Sequence, residues 1–231
     1  MTLKDKINKI CKDNTTLHGF ASIEDYQNYV SDDLKGYSHA IVIGIKIPDE
    51  IMENIITFEG ELEYRDAYTR INNKLNGITK KLEEIIKNEG FKAKSVNASY
   101  ILPDGKLHGE LSHKMIANLA GLGWIGKSCL LITPQYGPRI RWATVLTEYN
   151  LEVKNNPTSP QCSTCRLCVD ICPSHAFNDV EFRPEDPRSV RYDAFKCSGY
   201  FDKLEKMKRP RLCGLCVKVC PWGTGNRKTK I

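Results

Sequence analysis

Apolar residues recur at helical spacing in two stretches and run together in several short ones, so the chain reads as mixed α and β. Leu3, Ile7, Ile10 and Cys11 share one face of residues 2–14, which predicts an N-terminal helix with Cys11 in the core. His39 to Ile47 is a β-branched run closed by Pro48, the pattern of a buried strand. From Gly60 to Asn88, the residues Tyr64, Tyr68, Ile71, Leu75, Ile78, Leu82 and Ile85 return at alternating steps of four and three. That spacing gives one apolar seam on one long helix, with Gly90 as its stop. Phe91–Ser99 predicts a second strand and Leu111–Leu122 a shorter helix. Cys129–Thr133 and Ile140–Thr147 then read as strands joined through Pro134–Pro138.

The polar, proline-bearing segment Asn155–Pro160 is the one clear linker. It predicts an α+β body over residues 1–154 and a separate module over 155–231. No run approaches the ~18 apolar residues of a membrane span. The charged start, Met1-Thr-Leu-Lys-Asp-Lys, lacks the apolar segment of a signal peptide. The expectation is a protein of the reducing cytoplasm, with no membrane partner.

The second module carries the chemistry. It contains Cys162-x2-Cys165-x2-Cys168-x3-Cys172-Pro173, then Cys213-x2-Cys216-x3-Cys220-Pro221, with a lone Cys197 between. The first run has bacterial ferredoxin spacing, in which three close thiolates hold three corners of a [4Fe–4S] cube and the fourth ligates the other cluster. Applied here, one cluster takes Cys162, Cys165, Cys168 and Cys220, and the other takes Cys172, Cys197, Cys213 and Cys216. A zinc site pairs its ligands around one tetrahedral ion, and three thiols within seven residues suit that poorly.

The clusters change the charge balance. The formal net charge is +6, and each ligated cube contributes about −2, because ligating thiols are deprotonated. Bulk charge is then a weak argument for nucleic acid. Yet Lys203 to Ile231 holds nine Lys or Arg against Glu205 alone. This basic stretch either balances the clusters or forms a docking patch for an acidic donor or an RNA backbone.

The second informative segment is Ala120-Gly-Leu-Gly-Trp-Ile-Gly-Lys127, between the short helix and a strand. Its glycines allow a tight path, and Lys127 with free backbone N–H groups could hold a phosphate or carboxylamide; a plain turn accounts for it equally. A dinucleotide fingerprint needs the order strand, glycines, helix, which this segment reverses. Together with Cys213-Gly-Leu-Cys-Val-Lys-Val-Cys-Pro-Trp222 and Cys197-Ser-Gly-Tyr200, the segment resembles the epoxyqueuosine reductase family, relatives of the reductive dehalogenases, over roughly residues 60–225.

The resemblance implies a nitroreductase-like α+β body that binds cobalamin base-off, with the corrin between that body and the clusters. By carry-over, Gly121, Gly123, Trp124, Ile125, Gly126 and Lys127 lie at the cobalamin, and Tyr68 stands near the tyrosine early in the family's long helix. Two departures stand out. Members acting on tRNA carry a C-terminal helical-repeat extension that this chain lacks, and the position of the family's acidic residue falls on Leu107. Asp104 and Glu110 flank that position, with His108, His113 and Lys114 nearby. The expectation is a short paralogue acting on a small molecule or cofactor rather than on tRNA.

A reductase of this kind needs a low-potential donor, ferredoxin or flavodoxin, whose electrons pass through the clusters to cobalt. Asp104, His113 and Lys114 are the candidate proton donors, and Arg139 and Arg141 could hold an anionic substrate or a corrin side chain. Both arginines also fit a solvated strand face. Two other readings remain: a non-catalytic ferredoxin-like electron carrier docking a partner enzyme, and an FMN-dependent reductase.

Overall fold

The computed structural model describes residues 1–224; the last part of the basic stretch, 225–231, lies outside the described residues. Helix α1 (Leu3–Asn14) starts in a capping box, where Thr2 Oγ1 accepts from the Asp5 N–H at 3.1 Å and Asp5 accepts from the Thr2 N–H at 2.9 Å. It buries Leu3, Ile7 and Cys11 and packs on β1 (Leu17–Ser22). That strand has no β-branched residue and escapes sequence reading. Antiparallel pairing with β2 (His39–Lys46), from Leu17 opposite Gly44 to Ser22 opposite His39, holds it in place.

After Pro48 the chain makes a short helix that the sequence pattern does not predict, α2 (Asp49–Asn54), and then α3 (Phe58–Asn88). The long helix therefore begins two residues before the expected Gly60. Its seam also ends differently, with Ile86 fully buried and Ile85 only half-buried, because the helical period drifts from a strict 3.5-residue repeat over six turns. β3 (Ala93–Val96) and α4 (His113–Leu119) are shorter than predicted. β4 (Trp124–Ile125) and β5 (Leu131–Ile132) form a two-stranded hairpin, and β6 (Ile140–Thr147) matches its expected range. A four-stranded sheet runs in the order β1-β2-β6-β3. Most of β2 and β6 is buried, and α4 packs on β1 and β2. No described helix is long and apolar enough to cross a membrane.

The chain divides into two compact units. The first comprises residues 1–46, 70–122 and 141–158 and contains the four-stranded sheet. The second comprises 47–69, 123–140 and 159–231. This corrects the expected division at residue 154 in one respect: two earlier segments, including the β4–β5 hairpin, join the cysteine-bearing region. Glycines explain the hairpin's place in that unit. A Cβ on Gly123 would lie 2.1 Å from the Ile132 carbonyl oxygen, and one on Gly126 would lie 3.2 Å from Cys162 Sγ. The linker is also not free. Asn155 exchanges two hydrogen bonds with the Ser22 backbone, and the Asn156 N–H donates to Leu119 O at 2.9 Å.

The cysteine region is a structural repeat. α5 (Leu167–Asp170) and α7 (Leu215–Lys218) are single turns whose preceding residues, Arg166 and Gly214, share nearly the same backbone angles (φ −123°, ψ 3° and φ −130°, ψ 9°). Each turn begins two residues after a cysteine, Cys165 or Cys213, and carries the next one, Cys168 or Cys216. The longer α6 (Ala194–Lys206) lies between them in sequence, capped by Asp193, whose carboxylate accepts from the N–H groups of Phe195 and Lys196.

Candidate functional site

Electrostatic neighbourhoods sort the eight cysteines of the second unit. Burial pushes the Cys220 thiol up to about 12, and Cys162, Cys168 and Cys165 add to the shift. Cys168, raised to about 11 chiefly by burial, in turn feels Cys162 and Cys165. Cys216 is raised by burial and then by Cys213 and Cys197, with smaller contributions from Cys168 and Cys172. Burial likewise raises Cys213 and Cys197; Cys213 feels Cys197 and Cys172, and Cys197 feels Cys172. Cys220 thus lies near Cys162, Cys165 and Cys168, and Cys213 near Cys197 and Cys172, while Cys216 feels thiols of both groups.

Donors already point at these sulfurs. The Ala176 N–H donates to Cys172 Sγ at 3.4 Å, with Ser174 Oγ at the same distance. Backbone N–H groups of Leu215 and Trp222 serve Cys213 and Cys220. The Tyr192 hydroxyl is hydrogen-bonded to Cys197, which with burial holds that phenol far above its ordinary range. Among the described residues, no three His, Cys, Asp or Glu side chains converge closely enough to hold a single metal ion.

The turn carrying Cys162 and Cys165 is pinned at Ser163. Its N–H donates to Glu181 Oε1 at 2.8 Å, and its carbonyl accepts from Lys127 Nζ at 2.7 Å. Lys127, almost wholly buried, also pairs with Asp179 at 2.9 Å, and Asp179 pairs with Arg166 at 2.6 Å. Hydrogen bonding to Lys127 is the main reason that the Asp179 carboxyl titrates below its usual range. The last residue of the glycine-rich segment therefore braces a cysteine turn. Gly121 is exposed, whereas Gly123, Trp124, Ile125, Gly126 and Lys127 are buried. Trp124 stands edge-on to Trp222 with ring centres 4.7 Å apart, and its indole N–H has no hydrogen-bond partner among the described residues.

The other predicted residues divide between the units. Arg139, 1% exposed, donates to Asp49 at 3.1 Å and to Glu53 at 2.9 Å, beneath a cleft of about 650 Å³ that also meets Cys220 and Lys218. Tyr68 stacks edge-on with Tyr64 at 6.2 Å in the same unit. In the first unit Arg141 donates to Asn72 at 3.2 Å and to the Ser99 hydroxyl, and it lies near His113. Both His113 nitrogens are engaged, Nδ1 with the Thr144 hydroxyl at 2.9 Å and Nε2 with Asn97 O at 3.2 Å. Burial is the main cause that holds its pKa down to about 4, so the ring is neutral near pH 7. Lys114 is half-buried on the same turn. Asp104 lies apart from this cluster and accepts from His108 Nε2 at 2.8 Å and from the Lys106 N–H at 2.9 Å. Those bonds hold its carboxyl ionised. Asn72, Ser99, Ser163, Asp179 and Tyr192 carry no sequence signal of their own; only their contacts bring them in.

Comparison with known proteins fits this geometry. Residues 161–223 match the family model described as a 4Fe-4S double cluster binding domain. Over 120 residues the chain is 31% identical to the epoxyqueuosine reductase of Bacillus anthracis, covering 51% of this chain and 31% of that protein. The Aliivibrio fischeri enzyme is 28% identical over 173 residues, covering 72% and 42%.

The chain is similar to the epoxyqueuosine reductases over part of its length.

Its matched region spans 31% and 42% of the length of those curated relatives. In fold it is similar to a crystal structure of selenomethionine-labelled epoxyqueuosine reductase, at TM-score 0.62 and 19% identity over 96% of this chain and 66% of that one. It is likewise similar to a catabolic reductive dehalogenase in complex with 3-bromo-4-hydroxybenzoic acid, at TM-score 0.71 and 23% identity over 94% and 31%. An epoxyqueuosine reductase solved with an epoxyqueuosine-modified tRNA stem loop has TM-score 0.61 at 18% identity, over 96% and 66%.

Proposed function

We propose that this chain is an iron–sulfur oxidoreductase in which Cys162, Cys165, Cys168 and Cys220 hold one [4Fe–4S] cluster and Cys172, Cys197, Cys213 and Cys216 hold the other. The observation that supports this reading is that Cys220 lies close enough to feel Cys162, Cys165 and Cys168, and Cys213 close enough to feel Cys197 and Cys172. The donor set fits the group. Eight thiols in ferredoxin-type spacing supply the four ligands that each of two cubes needs. When bound, cubes of this type supply single electrons at low potential.

The chain's own residues have separable tasks. Lys127 and Glu181 fix the turn that presents Cys162 and Cys165. The N–H of Ala176 and the hydroxyl of Tyr192 hydrogen-bond sulfurs of the second set, and such bonds set cluster potentials. The unpartnered indole N–H of Trp124, next to Trp222, supplies a further donor to whatever acceptor comes there. Proton handling falls to the Asp104–His108 pair, where an ionised carboxylate holds the imidazole at 2.8 Å. One solved relative is described as having a catalytic aspartate loop swung out of its active site, and that supports an acidic residue on a loop for this role.

Cobalamin is the organic cofactor this reading favours, on the resemblance and on the B12-dependent mechanism named for a dehalogenase of the same fold. The glycine-rich segment does not itself offer a cradle, because Gly123–Lys127 are buried against their own unit and Lys127 is paired with Asp179. A small redox substrate remains the preferred target, with epoxyqueuosine-containing tRNA, the ligand type of a solved relative, as the comparison. The test is direct. Anaerobic protein should contain about eight iron and eight sulfide per chain, as two cubes require. Titration with hydroxocobalamin or FMN, followed by electron paramagnetic resonance (EPR), then separates cobalt from flavin binding. About four iron, or zinc in place of iron, would contradict the two-cluster reading.

A further inference from the structure

Helix α6 has two faces of different character. At 100° per residue, Cys197 and Leu204 fall on one side, and Leu204 is only 2% exposed. Turned about 130° around the helix from them is a stripe of Phe195, Lys196, Gly199, Lys203 and Lys206, with Met207 at the C-cap and Asp202 at its border. Phe195 and Met207 are each 63% exposed, an unusual position for large apolar side chains. Between them, Gly199 leaves open space above the helix. The three lysines are in no ion pair among the described residues, whereas the neighbouring acids Asp202 and Glu205 are both paired with Arg211. The face is thus net positive, apolar at both ends and unobstructed in the middle.

We infer that this face docks an acidic, small electron-carrier protein that reduces the second cluster. The inference rests on the two-cluster reading above, because Cys197, a ligand of the second cluster in that reading, stands on the same helix, about a third of a turn from Lys196 and Lys203. A carrier seated on the lysines comes within about one helix diameter, ~10 Å, of that cysteine. Carboxylates on the carrier complement Lys196, Lys203 and Lys206, and its apolar contact centre meets Phe195 and Met207. Steering by charge with a small apolar contact gives fast, short-lived encounters, as redox exchange needs. In the exchange the reduced carrier loses one electron and the oxidised cluster gains it; no bond or proton moves. An RNA backbone would also accept the lysines, but nothing in RNA binding accounts for a cluster ligand on the same helix.

The test uses the full chain with both clusters, its iron and sulfide assayed first. Reduced acidic flavodoxin and reduced acidic [2Fe–2S] ferredoxin are mixed with wild type and with the triple variant Lys196→Glu/Lys203→Glu/Lys206→Glu. Cluster bleaching is followed by stopped flow at several salt concentrations. Binding of oxidised flavodoxin is measured separately by its flavin fluorescence. The expected result is a wild-type rate that falls with salt, and a variant slowed about tenfold or more at low salt, the scale of electrostatic steering. Flavodoxin affinity should fall in parallel, while reduction by dithionite stays unchanged. Phe195→Ser should weaken binding without altering the salt dependence. Equal, salt-independent rates in wild type and variant would overturn the proposal. So would loss of tRNA binding in the variant with carrier kinetics intact, which would assign the face to RNA. Absence of the second cluster in loaded protein would overturn both this inference and the reading beneath it.

Discussion

Lys127 illustrates what a single buried charge does here. Its ammonium is anchored by Asp179 and the Ser163 carbonyl, and removing one partner of a buried pair leaves the other uncompensated. Lys127→Met should lower stability by about 2–3 kcal/mol, somewhat less than a fully buried pair because Asp179 keeps Arg166. Anaerobic denaturant titration of the loaded protein measures this. Tyr192→Phe makes a different point. Losing a hydrogen bond to Cys197 removes a donor that favours the more negative, reduced cluster. Its potential should drop by tens of millivolts, the equivalent of about 1 kcal/mol in a one-electron couple. His113 gives the pH dependence. Its folded pKa lies near 4 against an ordinary 6.5, so between those values the unfolded chain binds a proton that the folded chain does not. Stability therefore falls as pH drops from 6.5 towards 4, by at most ~1.4 kcal/mol per pH unit from this group, and is independent of it above 6.5. Comparing denaturation at pH 5 and pH 7 in wild type and His113→Gln isolates the term.

At the scale of elements, what could be read from the sequence followed how strongly each pattern was constrained. The β-branched run of β2 and the strand β6 were legible because a buried strand leaves a continuous apolar signature. β1 was not, since Leu-His-Gly-Phe-Ala-Ser takes its conformation from pairing with β2 rather than from its own residues. α2 was hidden too, because six residues after a proline carry too short a period to stand out. The glycine-rich segment was conspicuous, but its purpose lay in partners remote in sequence. Gly126 leaves room beside Cys162 and Ile132, so Gly126→Val should push that cysteine turn aside. Iron should fall from about eight to about four per chain if the first cube alone is lost. The cysteine spacing pointed to the clusters directly, because each turn needs its own short helix and leaves a fixed step between ligands.

For the whole molecule, sequence order and spatial order diverge. The proline-bearing linker marks a change in composition, yet Ile47–Thr69 and Gly123–Ile140 belong to the same compact unit as the cysteines. Contacts between distant segments, such as Arg139 with Asp49 and Glu53, define that unit and leave no local mark in the sequence. The central claim is that Cys220 completes the cluster begun by Cys162. It is tested most directly in Cys220→Ala, alone and combined with Tyr192→Phe, by EPR-monitored redox titration. This ligation predicts that Cys220→Ala damages the first cluster and leaves one intact cube whose potential still shifts when Tyr192 is replaced. A remaining cluster whose potential is indifferent to Tyr192 would mean that Cys220 serves its sequence neighbours, and would contradict the account.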